Sequence, residues 1–359
     1  MMQGMRHGAP LLQEALIHDF EYNGFGGQSI MGVGGLGTGK TSLFLQMIQR
    51  VSHLDSDKIS KSDYLALYRK RAKKEQQLLK NNYDPKDIPS MLPKLPCKEV
   101  PETVVYSGRS FDYWHNFLER RAWPGLTPKP VALHLPRGED FHFLVPFDDG
   151  VKDLIVDGIV RRYSSTHELI KNLQDGGINV WYPPSDYTIP KFILKTVKVS
   201  EKDLAAYTQP NWMNFELVYE LMNYGYRKHI TWFYDEIHDL LPPHAAGVEW
   251  WLIDWFVRKA EAELRRCHLS AFSTTHGCNL VDGRHMERAQ WYIWTGRASP
   301  NKRYSIVTAG AVRRCHAGEC IIEWKGEEFG KFFYDKLPYQ LPKMRIVQGD
   351  SAKINLNAG

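Results

Sequence analysis

The stretch Gly34-Gly-Leu-Gly-Thr-Gly39-Lys40-Thr41 constrains this chain more than any other, because it satisfies G-x-x-x-x-G-K-[ST] at each fixed position. Such a motif works only where a strand runs into a tight turn and a helix leaves it. The short apolar run Ser29–Val33 precedes it, and Leu43, Phe44, Met47, Ile48 and Val51 follow at helical spacing. Its glycines let backbone N–H groups curl around an anion, the helix directs its positive end at the same point, and Lys40 adds a mobile ammonium. Gly34, Gly35, Leu36, Gly37, Thr38, Gly39, Lys40, Thr41 and Ser42 are therefore the expected nucleotide-binding set for ATP, with the Thr41 hydroxyl directed at Mg²⁺. A glycine-rich turn that binds nothing is the plainer alternative.

The second constraint is Ile230-Thr-Trp-Phe-Tyr234, apolar or aromatic at every position but Thr231, which reads as a buried strand ending in Asp235-Glu236. Two adjacent acids there need a reason, since an unpaired buried charge is costly or becomes protonated. Mg²⁺ supplies one: Asp235 is expected to hold the metal with Thr41, and Glu236 to polarise the water attacking the γ-phosphate. Two acids favoured by a helix N-terminus would be the plainer account. Beyond Pro242-Pro243, the spacing of Trp251, Leu252, Trp255, Phe256 and Ala260 predicts a helix over 248–265. His268–Phe272 then runs into Ser273-Thr-Thr-His276, which sets a polar cluster beside the loop and the acids, with His276 placed to sense the γ-phosphate.

Strand and helix signals alternate along the rest of the chain, which predicts an α/β fold with a central, mainly parallel sheet flanked by helices. Strands are expected at 102–106, 131–135 and 178–182, and helices over 111–121 and 211–226; Ser165-Thr-His-Glu168 forms a capping box and Gly176-Gly177 suits a C-terminal cap. Residues 55–101 change character, rich in Lys, Arg, Leu and Gln and then broken by prolines, and read as an inserted helical region. Trp291–Trp294, Tyr304–Thr308, Glu319–Trp324 and Phe329–Tyr334 are strand-like runs that close the sheet and add a C-terminal β-hairpin, leaving 343–359 as a tail. The whole of 1–359 is thus read as one phosphate-loop domain carrying an insertion.

A net charge of +5 permits a polyanionic partner without requiring one. Arg69–Lys74, Arg120-Arg121, Arg161-Arg162 and Arg313-Arg314 are basic stretches able to contact phosphates, and each is also compatible with an ordinary solvated face. Cys97, Cys267, Cys278, Cys315 and Cys320 are an odd set at irregular spacing, which fits thiols of a reducing, cytoplasmic setting. Cys315-His316 with Cys320 lacks the further ligands of a zinc site. No apolar run approaches the roughly 18 residues of a membrane span, so no integral membrane segment is expected.

Taken together, Gly34–Thr41, Tyr234-Asp-Glu236 and the passage from Arg265 to His276 resemble the HerA/FtsK superfamily of DNA-translocating ATPases, especially the packaging ATPases of viruses with internal membranes. The resemblance implies a RecA-like phosphate-loop fold of the ASCE type and ATP-driven movement of double-stranded DNA into a capsid. It also implies a homo-oligomeric ring, usually a hexamer, a capsid or portal-vertex protein as partner, and a place in the host cytoplasm or the virion. Arg265 stands at the family's distance before Thr275-His276 and by this resemblance would be a finger reaching a neighbouring subunit's γ-phosphate, with Arg266, Arg288 and Arg297 as rivals. The family's Thr-Gln pair is here Thr275-His276, and histidine can donate or accept at that position, with a dependence on pH.

Other classes share the loop. Morphogenesis ATPases resembling the zonula-occludens-toxin type typically carry a membrane span, which this chain lacks. A replication helicase would account for Asp235-Glu-Ile-His238, but the roughly 120 residues after Glu236 are few for a second RecA-like domain. A large terminase would need a further acidic cluster. A small-molecule kinase fits the paired acids poorly, and a non-hydrolysing scaffold would bind ATP with almost no turnover.

Overall fold

The apolar runs become the strands of one large sheet and one small one in the computed structural model, which describes residues 6–7, 28–52, 61–83, 91, 103–118, 130–147, 150–197, 200, 210–225, 230–260, 263, 269–324, 328–334 and 343–349. In chain order the strands are β1 (Arg6–His7), β2 (Ser29–Val33), β3 (Thr103–Gly108), β4 (Val131–Pro136), β5 (Phe141–Phe147), β6 (Gly150–Asp153), β7 (Val160–Tyr163), β8 (Ile178–Trp181), β9 (Ile230–Asp235), β10 (Leu269–Thr275), β11 (Trp291–Thr295), β12 (Glu319–Trp324), β13 (Glu328–Phe333) and β14 (Arg345–Gln348). The α-helices are α1 (Lys40–Val51), α2 (Lys61–Lys80), α3 (Thr166–Lys171), α4 (Lys191–Val197), α5 (Met213–Gly225), α6 (Gly247–Trp255), α7 (Gly283–Arg288) and α8 (Ala309–Arg313).

The large sheet runs β1-β13-β12-β11-β2-β10-β9-β3-β8-β4-β7. Every neighbouring pair from β11 to β7 is parallel, as is β1 with β13, whereas β12 pairs antiparallel with both β11 and β13. The fold is therefore α/β, with β12 and β13 as the expected hairpin. The insertion of β10 between β2, which leads into the phosphate-loop motif, and β9, which ends in the acids, is the RecA-like, ASCE-type order.

Both faces of the sheet are covered, so β9 and β10 are buried along their full length. Phe44 of α1 covers one face, its ring centroid 5.8 Å from Tyr106, 5.5 Å from Phe233 and 5.8 Å from Phe272. Burying a side chain of this size contributes about 2–3 kcal/mol. On the opposite face Trp232 packs on Phe256, just beyond α6, which in turn meets Phe215 of α5 edge to face at 5.1 Å. The period-2 alternation of β9 accounts for this division, since Phe233 and Trp232 must point to opposite sides.

The Ser165 hydroxyl caps α3 by accepting from Glu168 N at 3.2 Å, while the Glu168 carboxylate reaches back to Ser164 N at 2.9 Å. The chain divides into two compact units, Met1–His53 with Glu102–Gly359, and Leu54–Pro101. The second holds α2, on which Arg69, Lys70, Lys73 and Lys74 are exposed.

Several expectations are corrected. Tyr304–Thr308 is not a strand: the buried Glu323 carboxylate accepts from Ser305 Oγ at 2.5 Å and from Ile306 N at 2.8 Å, which diverts the segment from any ladder. The segment 343–359 is not a tail throughout, because Arg345–Gln348 pairs antiparallel with β5 in a small sheet of order β14-β5-β6. The helix expected over 111–121 is a 3-10 helix at Arg109–Phe117, whereas the helix expected over 248–265 is present as α6 continued by a π turn at Phe256–Ala260, with 261–262 and 264–265 outside the described residues. No described helix is long and apolar enough to cross a membrane.

Candidate functional site

Strand register determines where the site forms. Ser273 pairs with Tyr234, Gly108 with Asp235, Thr275 with Val33 and Trp294 with Val33, so the C-terminal ends of β3, β9, β10, β2 and β11 share one edge of the sheet. In parallel sheets this is the edge at which ligands bind.

The phosphate-loop motif leaves β2 at Gly34, whose N–H donates to Thr275 O at 3.1 Å, and enters α1 at Lys40. A Cβ on Gly34 would lie 1.7 Å from Thr295 Oγ1, so no side chain fits there. Gly39 caps the helix in the left-handed region at φ 83°, which leaves the first-turn N–H groups facing outward. Side chains brace the loop from outside. Thr38 Oγ1 donates to Gly35 O at 2.8 Å and lies 2.9 Å from Thr295 Oγ1, and the Tyr334 hydroxyl donates to Thr38 O at 2.5 Å. Leu36 is 74% exposed at the loop's tip, and Thr41 and Ser42 are half-buried in the first turn of α1.

Lys40 is the unusual member. The residue is 6% exposed, yet its Nζ meets no hydrogen-bond acceptor among the described residues, and Glu236 Oε1 stands 4.0 Å away. Burial lowers its pKa, with the Asp235 and Glu236 carboxylates pulling the other way. A buried ammionium without acceptors is expensive. A phosphate oxyanion in the loop would supply them, so the residues present fit a nucleotide.

Asp235 and Glu236 are held by one hydroxyl. Thr274 Oγ1 donates to Asp235 Oδ1 and accepts from Glu236 N at 2.9 Å. Glu236 adopts φ 61° and ψ 55°, a left-handed conformation rarely taken by a residue with a side chain and found disproportionately at functional sites. Its Oε1 lies 2.7 Å from His276 Nε2, while His276 Nδ1 approaches Gly34 O at 3.4 Å. Both partners are acceptors, so the ring satisfies them together only when both nitrogens carry protons. His276 thereby links the acid to the phosphate loop. His238 sits behind it, its ring centroid 5.5 Å away and its Nδ1 3.3 Å from Thr275 Oγ1, with its pKa lowered by burial.

Lys40, Asp235, Glu236 and His276 are thus brought to one edge with the phosphate loop. Thr41 and Asp235 would hold Mg²⁺. Among the described residues no group of three or more His, Cys, Asp or Glu is placed to hold a metal. Arg265 and Arg266 lie outside the described residues. Arg297 stands against the loop, its Cβ 3.0 Å from where a Gly35 Cβ would be, in a left-handed conformation at φ 64°.

Thr274, Thr295 and Tyr334 escaped sequence reading, although the polar run Ser273–His276 pointed to the first. So did Asp112 and Lys343. Lys343 Nζ is 2.9 Å from Asp112 Oδ2, and Met344 N donates to Asp112 O at 2.9 Å, tying β14 to the 3-10 helix after β3. Burial raises the Asp112 pKa against the pull of Lys343, and the hydrogen bond to Asp112 in turn raises the Lys343 pKa.

No family model and no curated protein matches the chain. Solved structures do. The genome packaging NTPase B204 from Sulfolobus turreted icosahedral virus 2, in complex with ATP-gammaS, is 11% identical with a TM-score of 0.32, over 66% of this chain and 98% of that one. The N-terminal domain of zonular occludens toxin from Neisseria meningitidis is 10% identical with a TM-score of 0.32, over 86% of this chain and 94% of that one.

Proposed function

We propose that this chain is an ATP-hydrolysing motor of the HerA/FtsK kind that moves double-stranded DNA, with packaging of a viral genome into a capsid as its setting and a homo-oligomeric ring as its working form. The observation that carries the ATPase reading is the buried Lys40 ammonium, without an acceptor among the described residues, in a braced phosphate loop facing Asp235 and Glu236. Mg²⁺ would neutralise developing charge on the phosphate oxygens, held by the Thr41 hydroxyl and the Asp235 carboxylate. Lys40 and the N–H groups of the loop bind and orient the phosphates. Glu236 orients the attacking water and draws off its proton, and His276 holds Glu236 Oε1 in register with the loop. The DNA cargo rests on the motif resemblance and on exposed basic surface, the finger on a ring whose neighbour completes the site, and the capsid or portal-vertex partner on the same resemblance.

Steady-state ATP hydrolysis with and without linear duplex DNA, at two salt concentrations and alongside Glu236→Gln, tests the reading. Stimulation by DNA that weakens with salt and vanishes in the variant is the expected result. Hydrolysis indifferent to nucleic acid would leave an ATPase without DNA cargo and favour a virion morphogenesis role.

A further inference from the structure

Residues 296–318 connect β11 to β12 at the edge of the sheet that holds the phosphate loop. The connection contains Arg297, Lys302, Arg303, Arg313 and Arg314 and no Asp or Glu. Arg303 is neutralised by Glu287, at 2.7 Å from Nε. Arg297, Lys302, Arg313 and Arg314 are exposed, and their side chains make no ion pair or hydrogen bond among the described residues.

Comparison with another pair of arginines shows that this availability is specific. Arg161 donates to Asn172 O and Gln174 Oε1, and Arg162 donates to Pro136 O at 3.0 Å and Glu139 O at 2.6 Å, so both are occupied inside the fold. The side chains of Arg313 and Arg314, equally prominent in the sequence, hold no partner among the described residues.

The cations of the connection are also rigidly presented. Thr308 Oγ1 caps α8 by accepting from Ala311 N at 3.2 Å, Val312 is fully buried, and Glu323 ties down Ser305 and Ile306. The start of the connection rests on the phosphate loop: Thr295 Oγ1 lies 2.9 Å from Thr38 Oγ1, and a Cβ on Gly296 would be 3.8 Å from Thr38 Cγ2 and 3.3 Å from Cys315 O.

We infer that the β11–β12 connection contacts the phosphodiester backbone of duplex DNA, through Lys302, Arg313 and Arg314, and transmits that contact to the phosphate loop through Arg297, Gly296 and Thr295. The inference deepens the proposed function and rests on it. Charge complementarity selects a polyanion, and the side chains select a duplex over a single strand. Binding of single strands relies on aromatic platforms for the bases. The connection's one aromatic residue, Tyr304, is half-buried with the Arg303 guanidinium 5.6 Å from its ring centroid. Contacts of this kind position the protein without reading sequence.

The test is fluorescence anisotropy of a labelled linear duplex with the full chain in the presence of a non-hydrolysable ATP analogue, over a series of salt concentrations. Wild type is compared with Lys302→Ala/Arg313→Ala/Arg314→Ala and with Arg69→Ala/Lys70→Ala/Lys73→Ala on α2. Each lost phosphate contact removes about 0.9 from the slope of log K against log salt, so the first triple variant is expected to have a slope shallower by about 2.7. Its affinity should fall equally for unrelated duplex sequences, with the ATP-induced rise in melting temperature retained as evidence of folding. An unchanged slope in that variant overturns the inference while leaving the DNA reading standing, all the more if the α2 variant loses slope instead. Unchanged slope together with a collapse of ATP hydrolysis overturns it in favour of a subunit contact. If the wild type binds no duplex even at low salt, the DNA reading itself fails and the inference falls with it.

Discussion

Thr274 offers the sharpest test of how the two acids are held. Replacing it with valine keeps the shape of a side chain that is 1% exposed and removes only the oxygen that donates to Asp235 Oδ1 and accepts from Glu236 N. The stranded N–H costs about 1–3 kcal/mol and the lost bond to a carboxylate about 1.5–3 kcal/mol. Glu236 is only partly buried, so the lower end of the sum, about 2.5 kcal/mol, is expected. For a chain of 359 residues the shift is about 1.3 °C per kcal/mol, so the melting temperature should fall by about 3 °C. Hydrolysis should fall further than stability alone explains, by about 10²-fold in kcat, because both acids lose their orientation. Thr274→Ser is the control. It retains the oxygen and gives up a methyl group 3.5 Å from where a Gly32 Cβ would lie, which costs about 1 kcal/mol. Differential scanning calorimetry and steady-state ATPase assays on both variants decide the matter. A Thr274→Val protein that hydrolyses ATP at the wild-type rate would refute the reasoning, as would one that melts within about 1 °C of wild type.

Glu236→Gln should bind ATP with little change and lose about 10²–10⁴-fold in kcat, read by single-turnover hydrolysis against nucleotide-binding titration. Lys40→Met should abolish the ATP-dependent rise in melting temperature without destabilising the nucleotide-free protein, because burial outweighs the attraction of Asp235 and Glu236 for the ammonium. Gly34→Ala places a methyl 1.7 Å from Thr295 Oγ1 and should weaken ATP binding, with part of the loss recovered in Gly34→Ala/Thr295→Ala; equal affinity of the two variants would show that the clash is relieved elsewhere. Burial holds His115 and His134 at a pKa of about 4 and His285 at about 3, so all three are neutral in the fold and take up protons on unfolding below pH 6.5. Bases with lowered folded values make stability fall as pH falls, by up to about 4 kcal/mol per unit between pH 6 and 4 if all three contribute, and denaturant midpoints across that range measure it.

Local chemistry made part of this molecule legible. The phosphate loop, the apolar run of β9 ending in Asp235 and Glu236, and the capping box at Ser165 each carry their signal within a few consecutive residues. Other features depend on what a distant residue does. The alternation in Tyr304–Thr308 suits a strand, and only Glu323, brought alongside by the β11–β12 pairing, claims its hydrogen bonds. Arg345–Gln348 is short and at most half-buried, so nothing in its own pattern distinguishes it from a tail until β5 supplies a partner. β5 itself contains Pro146, which reads as a break. In the site, Thr274 and Thr295 acquire meaning through register, and Tyr334 through a contact with Thr38 across the length of the chain.

That last contact bears on the order in which the protein can be made. The phosphate loop is synthesised well before its frame, because β2 takes both its strand partners from β10 and β11, and the hydroxyl that fixes Thr38 comes from Tyr334. A growing chain therefore carries its glycine-rich loop without a frame until β10, β11 and Tyr334 have followed, and gains the ability to grip ATP only when they are in place. Ordering the loop requires closing chain segments of more than 200 residues, such as the 242 between Gln28 and Ser270, and topologies of that kind fold slowly. Nucleotide, by binding only the finished frame, would pull the chain toward it by mass action.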